Sequence, residues 1–316
     1  MRITGTFVQP LAGGDTPTMN WRTEEWDNEL ALMKRCGIDT IILIMQRLKR
    51  WMAYDSEFLK REEGCFPVYF DYMDMFLTLC EKHDLTMYVP LHSPWHDWLL
   101  ATYDPQKEYD LYRQLVDEIW ERYGHRKAFK GWYFSQEISG ADGAPVVKVW
   151  QKLAPYCRSI SNNLPIMVSP YMRGIFALHP SVDYAKRKLY AQPPEQFRKE
   201  WDMIMDMMDG YIDIIAFQDG HVDFHEMPEY FRINVELAEK HHLQCWSNVE
   251  SFSRSAAMFL HPLSWEELQY KMIAAQEAGH SKLITYIWMP YISPNGPFLQ
   301  TRGLFKRYCE WFGIDA

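Results

Sequence analysis

Residues Thr23–Gln46 read TEEWDNELALMKRCGIDTIILIMQ, and this stretch decides the fold. Thr23 can cap a helix whose first turn carries Glu24 and Glu25 and whose last turn carries Lys34 and Arg35, charges that suit the two ends of a helix dipole. Trp26, Leu30 and Met33 fall on one face, and Gly37 ends the helix. After the short link Gly37-Ile38-Asp39, the run Thr40–Met45 is apolar throughout and reads as a strand of a covered parallel sheet. Gln46 then opens a long polar loop that lasts to Pro67.

The same unit recurs on both sides. Strand candidates are Ile3–Gln9, Thr40–Met45, Thr86–Leu91, Gly131–Ile138, Pro165–Tyr171, Ile212–Asp219, Gln244–Glu250 and Lys282–Met289. Helical stretches lie between them, near Tyr69–Lys82, Glu108–Tyr123, Val146–Asn162, Glu195–Met208, Pro228–His241 and Gly303–Phe312. Ser264 and Glu267 have capping-box spacing for a further helix that closes at Gly279. Pro155 predicts a kink or a break in the helix that contains it. Alternating β and α units predict an α/β protein, a (β/α)8 barrel formed as one catalytic domain over residues 1–316. An open doubly wound sheet would advertise a phosphate-binding glycine motif after its first strand. The chain has instead Gln9-Pro10-Leu11-Ala12-Gly13-Gly14, and neither G-x-G-x-x-G nor G-x-x-x-x-G-K-[ST] occurs.

The links are uneven. Helix-to-strand links are short, as in His83-Asp84-Leu85 and His241-His242-Leu243, whereas strand-to-helix links such as Met172–Pro194 are long. In a barrel the long ones gather at the C-terminal face, where active sites are built.

Composition narrows the function classes. The chain has 316 residues, 47% hydrophobic and 24% charged, so it can bury a core and is not globally disordered. A formal net charge of −9 argues against a nucleic-acid partner, which wants a basic groove. No apolar run approaches the roughly 20 residues of a membrane span. The start, MRITGTFVQP, lacks a signal-peptide pattern, which predicts a cytoplasmic protein unless a leader has been removed. Six cysteines without a CxxC read as reduced structural thiols. Aromatic residues reach 16%, a share that core mass, a partner surface or the walls of a pocket can each account for.

Two strand ends carry the chemistry. The fourth strand ends Trp132-Tyr133-Phe134-Ser135-Gln136-Glu137-Ile138, and the seventh ends Cys245-Trp246-Ser247-Asn248-Val249-Glu250-Ser251. Each sets a carboxylate where an apolar strand opens into a loop. A carboxylate there is costly unless hydrogen-bonded or useful. Two of them across one mouth can divide into acid and nucleophile. The competing reading for each is a structural ion pair with a rim Arg or Lys.

With those two glutamates the sequence resembles the clan A glycoside hydrolases, retaining (β/α)8 enzymes. The resemblance implies Glu137 as acid/base at the end of strand four and Glu250 as nucleophile at the end of strand seven. It also implies Trp288, in Tyr286-Ile287-Trp288-Met289-Pro290, as an aromatic platform under the sugar. Gln136 departs from the Asn that usually precedes the strand-four acid. The whole chain is similar to a group of bacterial TIM-barrel proteins of unknown function, catalogued among candidate glycoside hydrolases. That likeness rests on Thr4–Phe7, Trp26–Glu29, Ile41–Gln46, Phe134–Ile138 and Asn248–Phe252.

The expected substrate is a carbohydrate. Sugar hydroxyls need donors and acceptors, so Gln9, Gln46, His92, Gln136, Gln218, Asp219 and Asn248 are the polar candidates at the mouth. Trp95, Tyr133, Tyr171, Trp246 and Trp288 can offer flat apolar faces. Trp132 and Phe134 alternate with Tyr133 and are expected to point out to the helices. No cofactor is expected. His92 with His96 and His221 with His225 are four apart, but outside helices, and no H-E-x-x-H occurs. A metal-dependent sugar isomerase of the xylose-isomerase type, with Glu137, Asp219, His92 and Glu250 as ligands, is the alternative enzyme. A glycan-binding barrel without catalysis is the alternative outside enzymes. No G-x-S-x-G nucleophile motif is present.

Overall fold

A computed structural model of the protein describes residues 1–11, 16–91, 99–254 and 260–315. Eight strands form a closed parallel barrel: β1 (Ile3–Val8), β2 (Thr40–Leu43), β3 (Thr86–Pro90), β4 (Phe129–Phe134), β5 (Ile166–Val168), β6 (Ile214–Gln218), β7 (Gln244–Asn248) and β8 (Lys282–Thr285). They follow one another around the barrel in chain order, and β8 pairs with β1 to close it. The expected (β/α)8 architecture is present, with every strand in its expected place. The strands are shorter than the sequence suggests at their C-terminal ends, as in β4, which stops at Phe134, and β8, which stops at Thr285.

The principal helices outside the barrel are α1 (Thr23–Arg35), α2 (Tyr72–Lys82), α3 (Pro105–Tyr123), α4 (Ala144–Ile160), α5 (Pro194–Met208), α6 (Met227–Lys240), α7 (Trp265–Ala278) and α8 (Gln300–Phe312). Thr23 is the first helical residue of α1 rather than its cap. Arg22 takes the cap position, and its N–H donates to the Glu25 carboxylate at 2.8 Å. Ser264 and Glu267 form the expected capping box at 2.8 and 3.2 Å. Helix α4 runs through Pro155 without the expected break. Pro155 is on the exposed face, where the carbonyl deprived of its partner can be hydrated. The tight turns from helix to strand rest on left-handed residues, Gly37, Asp84, Asn163 and His242.

The core has two compartments. An outer shell packs the helices on the strands and includes Trp132, Phe134, Trp150 and Trp201. Trp132 and Phe134 point outward as expected. The inside of the barrel is a separate cluster with Phe7, Ile42, Tyr88, Tyr133, Met167 and Trp246. The six cysteines are all free and buried. No helix among the described residues is long and apolar enough to cross a membrane.

Candidate active site

Glu137 lies three residues beyond β4. Ser135 ties this extension to the third strand through its hydroxyl, which donates to the Leu91 carbonyl. Glu137 itself is half-buried. Burial pushes its carboxyl up to about 7, against the pull of a Gln218 hydrogen bond and the Arg254 charge, and Glu250 adds to the rise.

Glu250 lies two residues beyond β7, and its side chain is 1% exposed. Arg254 grips it in bidentate fashion. Nε donates to Oε2 at 2.9 Å and Nη2 to Oε1 at 3.0 Å. The carboxylate packs directly on Gly220, where any Cβ would overlap Oε2. Its peptide is clamped from two sides. The Glu250 N–H donates to Asp219 Oδ1 at 3.0 Å, and the Glu250 carbonyl accepts from Lys271 Nζ at 3.0 Å. Lys271 also donates to Asp219 Oδ1 at 2.8 Å, and both side chains of this pair are buried. Burial pushes the Asp219 carboxyl up to about 6, opposed by the Lys271 charge and hydrogen bond.

The wall beside these carboxylates is Tyr286. Its hydroxyl pairs with Gln9 Oε1 and lies 3.1 Å from Thr16 Oγ1. Its ring meets Phe7 and Phe252 edge-on at 5.7 and 5.9 Å. Tyr133 stands below, edge-on to Phe7 at 5.4 Å, and the Glu137 charge acts on its hydroxyl. Gln218 donates to the Ser169 carbonyl at 2.7 Å while it supports Glu137. Tyr171, half-buried, sits against the His221 ring at 4.9 Å, and burial pushes its hydroxyl up to about 12.

The structure thus brings Glu137, Glu250, Gln9, Tyr133, Tyr171 and Gln218 to the mouth end. Other candidates sit elsewhere. Trp288 is buried in the outer shell, where it donates to Glu29 Oε1 at 3.2 Å and packs on Phe305 and Tyr308. The chain turns after β8, so strand alternation does not carry to position 288, and Tyr286 takes the place expected of Trp288. Gln136 faces outward and both ends of its amide are used, Nε2 on Glu108 at 2.8 Å and Oε1 on Trp150 at 3.1 Å. Trp246 is inside the barrel but at its floor. It pairs with Lys282 at the start of β8, whose ammonium lies 5.3 Å from the Trp246 ring centre, and Tyr88 covers its edge. Gln46 is buried and donates to the Tyr54 hydroxyl at 2.6 Å.

Asn248 is buried beneath the mouth. Its amide donates to Ser169 Oγ at 3.1 Å and accepts from the Tyr286 N–H at 2.8 Å, so it braces the barrel and leaves no end free. Asp219 is buried under Glu250 and acts on the peptide of that residue. His92 and Trp95 lie outside the described residues.

The sequence reading missed Arg254, Lys271 and Tyr286. Arg254, four residues after Glu250, carried a faint signal. Lys271 carried none, because its partner is 52 positions away. The metal alternative fits poorly here. Two of its four ligands, Asp219 and Glu250, already pair with cationic side chains. Among the described residues no three His, Cys, Asp or Glu side chains are grouped to hold an ion.

The chain resembles a solved structure described as "a putative alpha-L-fucosidase from Bacteroides thetaiotaomicron", with 37% identity, a TM-score of 0.90, and coverage of 99% of this chain and 94% of that one. It shares its fold with an endo-1,4-beta-D-mannanase from Thermotoga petrophila, at 10% identity and a TM-score of 0.58, over 91% of this chain and 88% of that one. A beta-galactosidase from Marinomonas ef1 matches at 11% identity and a TM-score of 0.59, over 100% of this chain and 61% of that one. No curated protein matches the sequence. A family model described as a domain of unknown function, DUF4434, matches residues 3–297, and the chain belongs to that family.

Proposed function

We propose that the protein is a retaining glycoside hydrolase, with the barrel over residues 1–316 as its catalytic domain and a carbohydrate as its substrate. The observation that carries this reading is the contrast between two glutamates at one mouth. Glu137 holds a proton near neutral pH, while Glu250 is paired with a guanidinium. Glu137 protonates the glycosidic oxygen as the Glu250 carboxylate attacks the anomeric carbon and the C–O bond breaks. Water then attacks the glycosyl-enzyme, Glu137 takes its proton, and Glu250 is released. Gln218 orients the acid, and Tyr286 offers the flat face against which a sugar ring would sit. Glu250 is closed to solvent in this conformation, so the attack requires the Arg254 side chain to swing aside or share the carboxylate with the substrate.

The test is a panel of nitrophenyl glycosides that includes α-L-fucoside, β-D-galactoside and β-D-mannoside. On the glycoside that is cleaved, Glu250→Ala should abolish turnover, and azide should restore it with an inverted product. Turnover that survives Glu250→Ala would sink the nucleophile assignment. The closed Glu250–Arg254 pair also favours a second reading, a barrel that binds glycans without cleaving them. Binding of a glycan with no turnover on the panel would select that reading.

A further inference from the structure

His221 stands three residues beyond β6, next to the glycine on which Glu250 packs. The loop after β5 pins its main chain. The Phe176 N–H donates to the His221 carbonyl at 2.9 Å. A Cβ at Gly174 would overlap that same carbonyl, so the close approach of the two loops requires glycine there. The imidazole rests on the Tyr171 ring at 4.9 Å and 60°. In this ring Nδ1 is buried and has no hydrogen-bond partner. The residue is half-buried, and Nδ1 rather than Nε2 is its buried, unpartnered nitrogen, which leaves Nε2 as the nitrogen available to a ligand.

A neutral imidazole carries one hydrogen, on one nitrogen or the other. A buried N–H without an acceptor is rarer in folded proteins than a buried acceptor without a donor. A hydrogen on Nδ1 would therefore be wasted, whereas a hydrogen on Nε2 is open to a ligand. The charged form would strand an N–H at Nδ1 as well. Burial, then the charges of Arg254 and Lys271, hold the ring well below the usual histidine range and keep it neutral.

We propose that His221 is locked as the Nε2–H tautomer and donates that hydrogen to a hydroxyl oxygen of the sugar ring seated against Glu250, so that it selects which sugar the site accepts. The proposal rests on the glycoside hydrolase reading for the identity of its ligand class, and on the loop geometry for its tautomer. Because the Nδ1 lone pair faces protein, the same ring cannot take a proton from substrate through that nitrogen. Its role is recognition.

The experiment uses the full chain labelled with 15N-histidine. Two-bond proton–nitrogen correlation spectra distinguish the two neutral tautomers and the charged ring, and His221 is assigned by its loss in His221→Phe. The expected pattern is neutral with hydrogen on Nε2 at pH 7. An Nδ1–H pattern or a charged ring overturns the proposal. L-fucose, D-galactose and D-mannose are then added in turn. The sugar that binds should move the Nε2 resonance. Its monodeoxy form lacking the contacted hydroxyl should bind about 10- to 100-fold more weakly to the wild type. It should bind His221→Phe no more weakly than the parent sugar does. If His221→Phe does not fold, His221→Gln serves for both assignment and binding, and its partial retention of the donor should restore part of the discrimination. No movement of Nε2 with any of the three sugars overturns the donor role, as does equal loss in both proteins. Movement of Nε2 without turnover on the glycoside panel rejects hydrolysis and leaves the donor role standing.

Discussion

Glu137 and Glu250 are the same residue type at the same kind of position, and their neighbours make them different. A value near 7 for Glu137, against about 4.5 for an ordinary glutamate, means that the folded protein holds this proton more tightly than the unfolded chain does. The stabilisation this gives is complete below about pH 4.5 and is lost as pH rises through about 7. Glu137→Gln should therefore unfold at a higher temperature than the wild type at pH 8, by an amount worth about 2 kcal/mol, and show little difference at pH 4. Thermal melts at the two pH values check this. For the proposed reaction, kcat/KM should fall as pH rises through about 7, because the acid loses its proton. A pH–rate profile with no descending limb between pH 6 and 9 would reject Glu137 as the acid. At Trp288 the expectation runs the other way. Trp288→Phe removes a donor from the buried Glu29 carboxylate and should cost about 1–3 kcal/mol of stability, read by denaturant unfolding, with KM unchanged.

At the level of elements, alternation was the most informative signal in the sequence, and it failed where strands stop. Gln136 shares the parity of Trp132 and Phe134, so its outward direction was already legible. The parity of Trp288 was equally legible but meaningless, because β8 ends at Thr285. Helix starts were readable where a side chain caps locally, as at Ser264. Helix α3 starts three residues before the expected Glu108, where Asp104 followed by Pro105 carries the capping signal, with Asp104 Oδ1 accepting from Gln106 N–H at 2.9 Å. The Asp219–Lys271 pair could not be read, since it joins the end of β6 to the middle of α7 and depends on the closed barrel to bring them together. Removing one partner of such a buried pair leaves an uncompensated charge. Lys271→Met should destabilise the protein by about 3–5 kcal/mol, and the double variant Asp219→Asn with Lys271→Met should cost less than Lys271→Met alone. Urea unfolding of the wild type and the two variants measures both quantities.

For the whole molecule, the aromatic share that the composition left ambiguous divides by depth. Trp132, Trp150, Trp201 and Trp288 are shell mass. Trp246 and Tyr88 fill the floor of the barrel, and Tyr286, Tyr133 and Tyr171 stand at the mouth end. The sequence predicted the layer architecture, because strand and helix periodicities are local. It did not separate floor from mouth, because that depends on how far along each strand a side chain sits once the register is set. The division can be measured. Trp246→Leu should lower stability by roughly 3 kcal/mol through the cavity it leaves at the floor. It should leave KM for the cleaved glycoside within about twofold, whereas Tyr286→Ala should raise KM by about tenfold or more. Steady-state kinetics beside thermal melts separates the two. The clamp on the Glu250 peptide has a further consequence for how such barrels can be recombined. Asp219 follows β6, Glu250 follows β7 and Lys271 belongs to α7, so these three pieces form one inheritable block. A chimera that exchanges the Asp219 piece or the Lys271 piece without the other would receive an orphaned charge beneath the Glu250 peptide.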